Sequence, residues 1–216
     1  MNSRYNVNQG GINMNETHHH VFIEGTNVKN VLILLHGTGG NEHDLVNIGK
    51  HIDPDASILG VRGNVLEGGM PRYFRRLSEG VFDEEDLFFR AQELHKFLIE
   101  ALHHYAPKSE QITMIGYSNG ANIAATLLMK HEKIASRAIL FHAMVPYRNH
   151  DVRALNNTHV FIGAGSNDPI IPQNETLELI DVLRSNQASV KDIWYNNGHQ
   201  LTMNEVDDAQ KWYASI

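Results

Sequence analysis

The sequence predicts one α/β domain built on a doubly wound, mostly parallel sheet. Three observations lead there. Short apolar runs recur along the chain, and the clearest, "VLILL" at 31–35, is apolar at every position, as a strand covered on both faces requires. Stretches with helical spacing separate these runs, so strand and helix alternate. No internal repeat, linker or break in composition divides the 216 residues, a length that one domain accommodates.

The elements follow in order. Residues 1–17 are polar and Asn-rich and read as a flexible leader; residues 18–216 read as the domain. "HVFIEG" alternates like an edge strand. "NVLILLHGTGGN" is a buried strand running into a Gly-rich loop, with a helix expected over 41–50. "ASILGVRGN" is a second buried strand. Residues 64–86 show no clean period and mix Gly, Pro, aromatic and charged residues, which predicts a lid-like excursion. Apolar residues at 87, 91, 94, 98, 101, 102 and 105 predict an amphipathic helix.

"QITMIGYS" is the next buried strand, followed by a largely buried helix over 119–130. "RAILFHA" and "HVFIGAGSND" are further strands, joined by a loop with room for a short helical turn. Leu177, Ile180 and Leu183 mark another helix. "KDIWYNN" is the last strand, and Met203, Val206, Gln210 and Tyr213 stripe a terminal helix.

Composition removes several function classes. There are 18 basic and 25 acidic residues, a formal charge of −7, so nucleic acid and anionic membrane are poor partners. There is no cysteine, which excludes disulfides, thiolate metal sites and a cysteine nucleophile. The leader lacks the apolar core of a signal peptide, and no apolar run is long enough to span a bilayer, so a cytoplasmic location is expected. Histidine spacing disfavours a metal site: His103 and His104 are adjacent, and His131-Glu132 lacks the second histidine of H-E-x-x-H. No metal or cofactor is expected.

In open parallel sheets, ligands sit beyond the carboxyl ends of the strands, so the loops there hold the candidates. Ser118 lies in Gly116-Tyr117-Ser118-Asn119-Gly120, between a buried strand and a buried helix. A sharp turn at that place presents a hydroxyl, and small neighbours avoid clashes. His36-Gly37-Thr38-Gly39-Gly40 offers backbone amides to a cavity, as an oxyanion hole needs, and lacks the lysine of a phosphate-binding loop. The expected donors are the amides of Thr38 and Asn119. His36 reads as a brace for its loop rather than as a base.

Asp168 follows the strand "HVFIGAG", and His199 follows "KDIWYNN". Alone, Asp168 would pass for a turn or cap residue and His199 for a solvated loop residue. Together, the order Ser118, Asp168, His199 is that of a nucleophile, an orienting acid and a base in α/β-hydrolases. His142, at the end of "RAILFHA", is on the correct edge for a pocket residue. Tyr73, Phe74, Phe82 and Met144 are further candidates for an apolar substrate pocket, with packing of the excursion as the competing reading. Arg75 and Arg76 suit either a carboxylate partner or a solvated face.

"LLHGTGGNEHDL", "GYSNGANIA", "AGSNDPIIP" and "NNGHQLT" resemble the bacterial phospholipase/carboxylesterase family of serine α/β-hydrolases, which lack a separate cap domain and are related to acyl-protein thioesterases. "GVRGNVLEGGMPRYFRRLSEGVFDEEDL" is similar to the subgroup associated with quinone and hydroquinone stress. The resemblance covers roughly residues 20–214. It implies the triad Ser118, Asp168 and His199, with Thr38 and Asn119 as oxyanion donors.

The expected chemistry is hydrolysis of a small-molecule carboxylic ester, of short-chain or aryl type, through an acyl-enzyme on Ser118. Thioesterase or lysophospholipase activity on the same residues is the alternative. A hydrolase fold used only to bind small molecules is the alternative of another class. The sequence is compatible with a homo-oligomer and does not specify one.

Overall fold

The computed structural model describes residues 18–132 and 134–216; the leader predicted at 1–17 lies outside them. Eleven strands and five helices are present among the described residues, labelled in chain order. They are β1 His20–Ile23, β2 Asn27–Leu35, α1 Val46–Ile52, β3 Ala56–Val61, β4 Val65–Glu67, β5 Met70–Arg72, β6 Arg76–Ser78, β7 Val81–Phe82, α2 Glu84–Tyr105 and β8 Gln111–Tyr117. The rest are α3 Asn119–Lys130, β9 Arg137–Phe141, β10 His159–Gly165, α4 Gln173–Ser185, β11 Ser189–Tyr195 and α5 Met203–Tyr213.

Seven strands form one sheet in the order β1-β3-β2-β8-β9-β10-β11. Only β1 is antiparallel, paired with β3 at the edge; all other neighbours are parallel. The central strand β2 shows why. Val31, Ile33 and Leu35 enter the core on one face, and Leu32 and Leu34 enter the core on the other. A strand with no polar face needs helices above and below it, which parallel crossovers supply. α2, α3 and α4 contribute to the larger core, α5 to the other.

After β2 the chain crosses to one side, where β3 fits between β2 and the edge strand β1, and then crosses to β8 on the other side of β2 and builds to the other edge. The loops after β2 and β8 therefore part in opposite directions and leave a crevice at the carboxyl ends of these strands. The fold is of α/β-hydrolase type, a mostly parallel sheet flanked by helices.

Four local readings change. The helix expected over 41–50 starts only at Val46. Asn41 Oδ1 accepts the His43 amide and the Asp44 carboxylate accepts the Asn41 amide, so side chains here hold the backbone in turns instead. Residues 64–86 form two small hairpins, β4–β5 turning at Gly68 and Gly69 and β6–β7 turning near Gly80. All three of these glycines have positive φ. The linker from β9 to β10 contains no helical turn.

In the terminal helix, Met203 is exposed and the buried stripe is Glu205, Val206, Ala209 and Tyr213. A buried glutamate is invisible to an apolar pattern. Here its carboxylate closes a capping box with Thr202, accepting from that residue's backbone amide and hydroxyl, both at 3.1 Å.

Candidate active site

Ser118 sits between β8 and α3 with φ 53° and ψ −115°, a conformation that side-chain-bearing residues rarely adopt. The flanking glycines are a steric necessity. A Cβ on Gly116 would lie 2.5 Å from the Gly120 carbonyl oxygen, and one on Gly120 would lie 2.0 Å from that of Leu35. The turn is therefore closed to any larger residue on either side, and it lifts the serine hydroxyl off the strand end.

Two other loops meet it. After β10, Gly165 packs so closely under the β11–α5 loop that a Cβ there would lie 2.1 Å from the Gly198 carbonyl oxygen. The Gly198 amide donates to Asn167 Oδ1 at 2.8 Å, which ties the two loops together. This brings Asp168 and His199 side by side. The Ser118 hydroxyl donates to His199 Nε2 at 2.9 Å, and His199 Nδ1–H donates to Asp168 Oδ2 at 2.7 Å. Tyr117 steadies the imidazole-bearing loop by donating its hydroxyl to the His199 carbonyl at 2.7 Å.

Asp168 is built to stay ionised. Burial pushes its carboxyl up, but the amides of Ile171 and Ile170 and the His199 ring outweigh that and leave it below the usual carboxylate range. An ionised Asp168 keeps the His199 proton on Nδ1 and leaves Nε2 free to accept from serine.

The cleft above Ser118 has a volume of about 290 Å³. Thr38, Asn119, Phe82, Met144, Ile170 and Ile171 are among the residues lining it. Among the described residues the backbone amides of Thr38 and Asn119 donate to no backbone acceptor in the surrounding loops, which leaves both to meet a ligand oxygen. The Asn119 side-chain oxygen is engaged elsewhere, accepting the Tyr73 amide at 2.8 Å.

Three predicted pocket residues lie elsewhere. Tyr73 and Phe74 are fully buried in the core and do not line the cleft. The Tyr73 hydroxyl donates to the Val61 carbonyl at 2.6 Å and accepts the His36 amide at 3.0 Å, so it fastens the excursion to the sheet. His142 is also outside the cleft. It lies beneath Asp168, with Nδ1 3.2 Å from the same Oδ2 that His199 uses and Nε2 3.1 Å from Glu205 Oε2. That second approach lacks hydrogen-bond geometry. Among the described residues, His142, Asp168 and His199 are the one group whose ligand atoms approach as a metal site would, all within 4.8 Å, and these atoms face one another in hydrogen bonds.

His36 braces its loop, as expected. Its Nδ1–H donates to the Gly37 carbonyl at 2.6 Å and its Nε2 accepts the Gly63 amide at 3.0 Å. Burial holds its pKa below the ordinary histidine value, in keeping with a neutral ring. Of the paired arginines, Arg75 is exposed and bound to Asp83, whereas Arg76 lines the cleft. Sequence reasoning missed Arg72, which is nearly buried and lines the same cleft. Its position at the end of a three-residue strand carries no sequence signal.

Comparison with known proteins gives the family and the fold. The phospholipase/carboxylesterase family model matches residues 16–215. "Putative hydrolase MhqD" of Bacillus subtilis (strain 168) is 51% identical over 194 residues, which is 90% of this chain and 96% of that protein. The crystal structure of the Bacillus cereus carboxylesterase superposes with a TM-score of 0.89 at 52% identity, covering 93% of this chain and 95% of that one. YahD, solved with malic acid, superposes with a TM-score of 0.84 at 32% identity, covering 92% and 98%. On fold and sequence together, this chain is a hydrolase that belongs to the phospholipase/carboxylesterase family.

Proposed function

We propose that the protein is a carboxylesterase that cleaves short-chain or aryl esters through an acyl-enzyme on Ser118. The observation that carries this reading is the unbroken hydrogen-bond chain from Asp168 through His199 to Ser118. In the first step His199 Nε2 takes the serine proton as Oγ attacks the ester carbonyl. Asp168 holds the imidazole tautomer and stabilises the imidazolium. The amides of Thr38 and Asn119 receive the oxyanion, a contribution of about 3 kcal/mol per donor in comparable sites. The alcohol leaves with the proton from His199. Water, deprotonated in turn by His199, then releases the acid and restores the serine.

Cleft size supports short substrates over the long chain of a lysophospholipid. The wall of Phe82, Met144, Ile170 and Ile171 suits a short acyl or aryl group. Malic acid, held by the related YahD, is a small acid of the kind such a cleft admits. A p-nitrophenyl ester series from acetate to palmitate, run beside matched thioesters, tests the assignment. The expected result is a steep optimum at short acyl chains on oxygen esters. Equal rates on long chains, or a clear preference for thioesters, would overturn it.

A further inference from the structure

Arg72 is a cation in an unusual place. Its side chain is only 5% exposed, and it lines the cleft that contains Ser118. Nη1 donates to the Thr38 hydroxyl at 2.9 Å, and Nε donates to the Phe74 carbonyl at 3.3 Å. Its hydrogen bonds among the described residues thus use Nη1 and Nε. The nearest carboxylate, Glu67, stands 3.4 Å from Nε and is held more closely by Arg76, at 2.7 Å. Two guanidinium groups therefore share one counterion. Burial is strong enough to lower the Arg72 pKa, with Glu67 opposing and Arg76 adding to the effect.

A buried cation without a full counterion destabilises the fold, so its retention at a cleft calls for an anion that arrives with the ligand. The planar fork of arginine suits a carboxylate in particular. Among the described residues, the only carboxylate side chain lining the cleft is Glu79, which is exposed. Arg75, the neighbour most visible in the sequence, is already paired with Asp83 and Asp86.

We propose that Arg72, supported by Arg76, recognises an ionised carboxylate on the substrate, so that the preferred esters are half-esters of short dicarboxylic acids. This rests on the serine-esterase reading given above. Distance sets the length. Arg72 is one hydrogen bond from Thr38, beside the place where the scissile carbonyl oxygen would sit, so the second carboxylate must lie only a few bonds from that carbonyl. The chemistry is otherwise unchanged: the bond from Ser118 Oγ to the acyl carbon forms, the ester C–O bond breaks, and the alcohol leaves with its proton. Water then gives the free dicarboxylate.

The test compares monoethyl succinate with ethyl succinamate, in which a neutral carboxamide replaces the carboxylate. Wild type should favour the anionic ester by about tenfold or more in kcat/KM, the range of one charge-assisted hydrogen bond. Arg72→Gln should bring that ratio close to one, chiefly through KM, and Arg72→Lys should keep part of it. A purely structural Arg72 would lower both substrates alike and leave the ratio intact, which would overturn the proposal. So would a wild-type ratio near one. Should the variants fail to fold, wild type alone decides: free succinate should protect Ser118 from a fluorophosphonate probe and the neutral diamide succinamide should not, and equal protection overturns the proposal. Labelling of Ser118 without preference for the anionic ester sinks this inference alone, whereas no labelling sinks the esterase reading beneath it.

Discussion

Asn119 Oδ1 accepts the Tyr73 amide at 2.8 Å, which joins the residue after Ser118 to the buried end of the excursion. Asn119 lines the cleft, and its side chain holds Tyr73, the buried residue that follows β5. Asn119→Ala leaves a buried amide without an acceptor, an expected loss of about 1–3 kcal/mol. The backbone amide survives, so KM should rise more than kcat falls. Chemical denaturation and steady-state kinetics check both halves; an unchanged unfolding free energy would contradict the assignment.

The hydroxyl of Tyr117 donates to the His199 carbonyl at 2.7 Å and steadies the loop that carries the imidazole. Tyr117→Phe removes that bond and keeps the ring that packs on Gly37. The expected loss is up to about tenfold in kcat/KM, with the melting temperature little changed. A full loss of activity would mean that the hydroxyl acts on the substrate itself.

His142 stands between two carboxylates, Asp168 and Glu205, with all three side chains nearly inaccessible. His142→Ala would leave both acids facing a void, and a loss of about 3 kcal/mol or more is expected. Adding Glu205→Gln removes one charge and should recover part of it. Additive losses in the double-mutant cycle would show that the two groups do not interact.

Acid sensitivity has an identifiable source. Burial lowers His18 and His131 from the usual 6.5 to about 4; around His131, the neighbouring His95, Lys130 and Arg153 add to the effect. Around His18, Glu93 opposes the shift while Arg90 and His20 add to it. In that window the unfolded chain binds protons that the folded chain refuses. Stability is therefore complete above 6.5 and falls as pH drops towards 4. Asp168 has the opposite sign of charge: its lowered pKa contributes stability that is lost only at still more acidic pH, below the usual carboxylate range. Melting temperatures across this range check the prediction, and His131→Gln should flatten the slope.

The fold class was legible because strands such as 31–35 are apolar at every position, which only a sheet covered on both sides tolerates. Ser118, Asp168 and His199 were legible as candidates because each follows a strand in the parallel sheet, and the structure places them in contact. Tyr73, Phe74 and His142 show where pattern reading stops. Aromatic residues in an irregular segment look the same in sequence whether they face a cleft or the core. Arg72 and Glu205 were missed for the converse reason: burial of a charge depends on partners far away in the chain, Thr38 for one and His142 for the other.

Activation of Ser118 by His199 is tested most directly by intact-protein mass spectrometry after treatment with a fluorophosphonate. The expected result is one stoichiometric adduct on wild type, mapped to Ser118, absent in Ser118→Ala and strongly slowed in His199→Ala. No adduct on wild type, or equal labelling of Ser118→Ala, would contradict it.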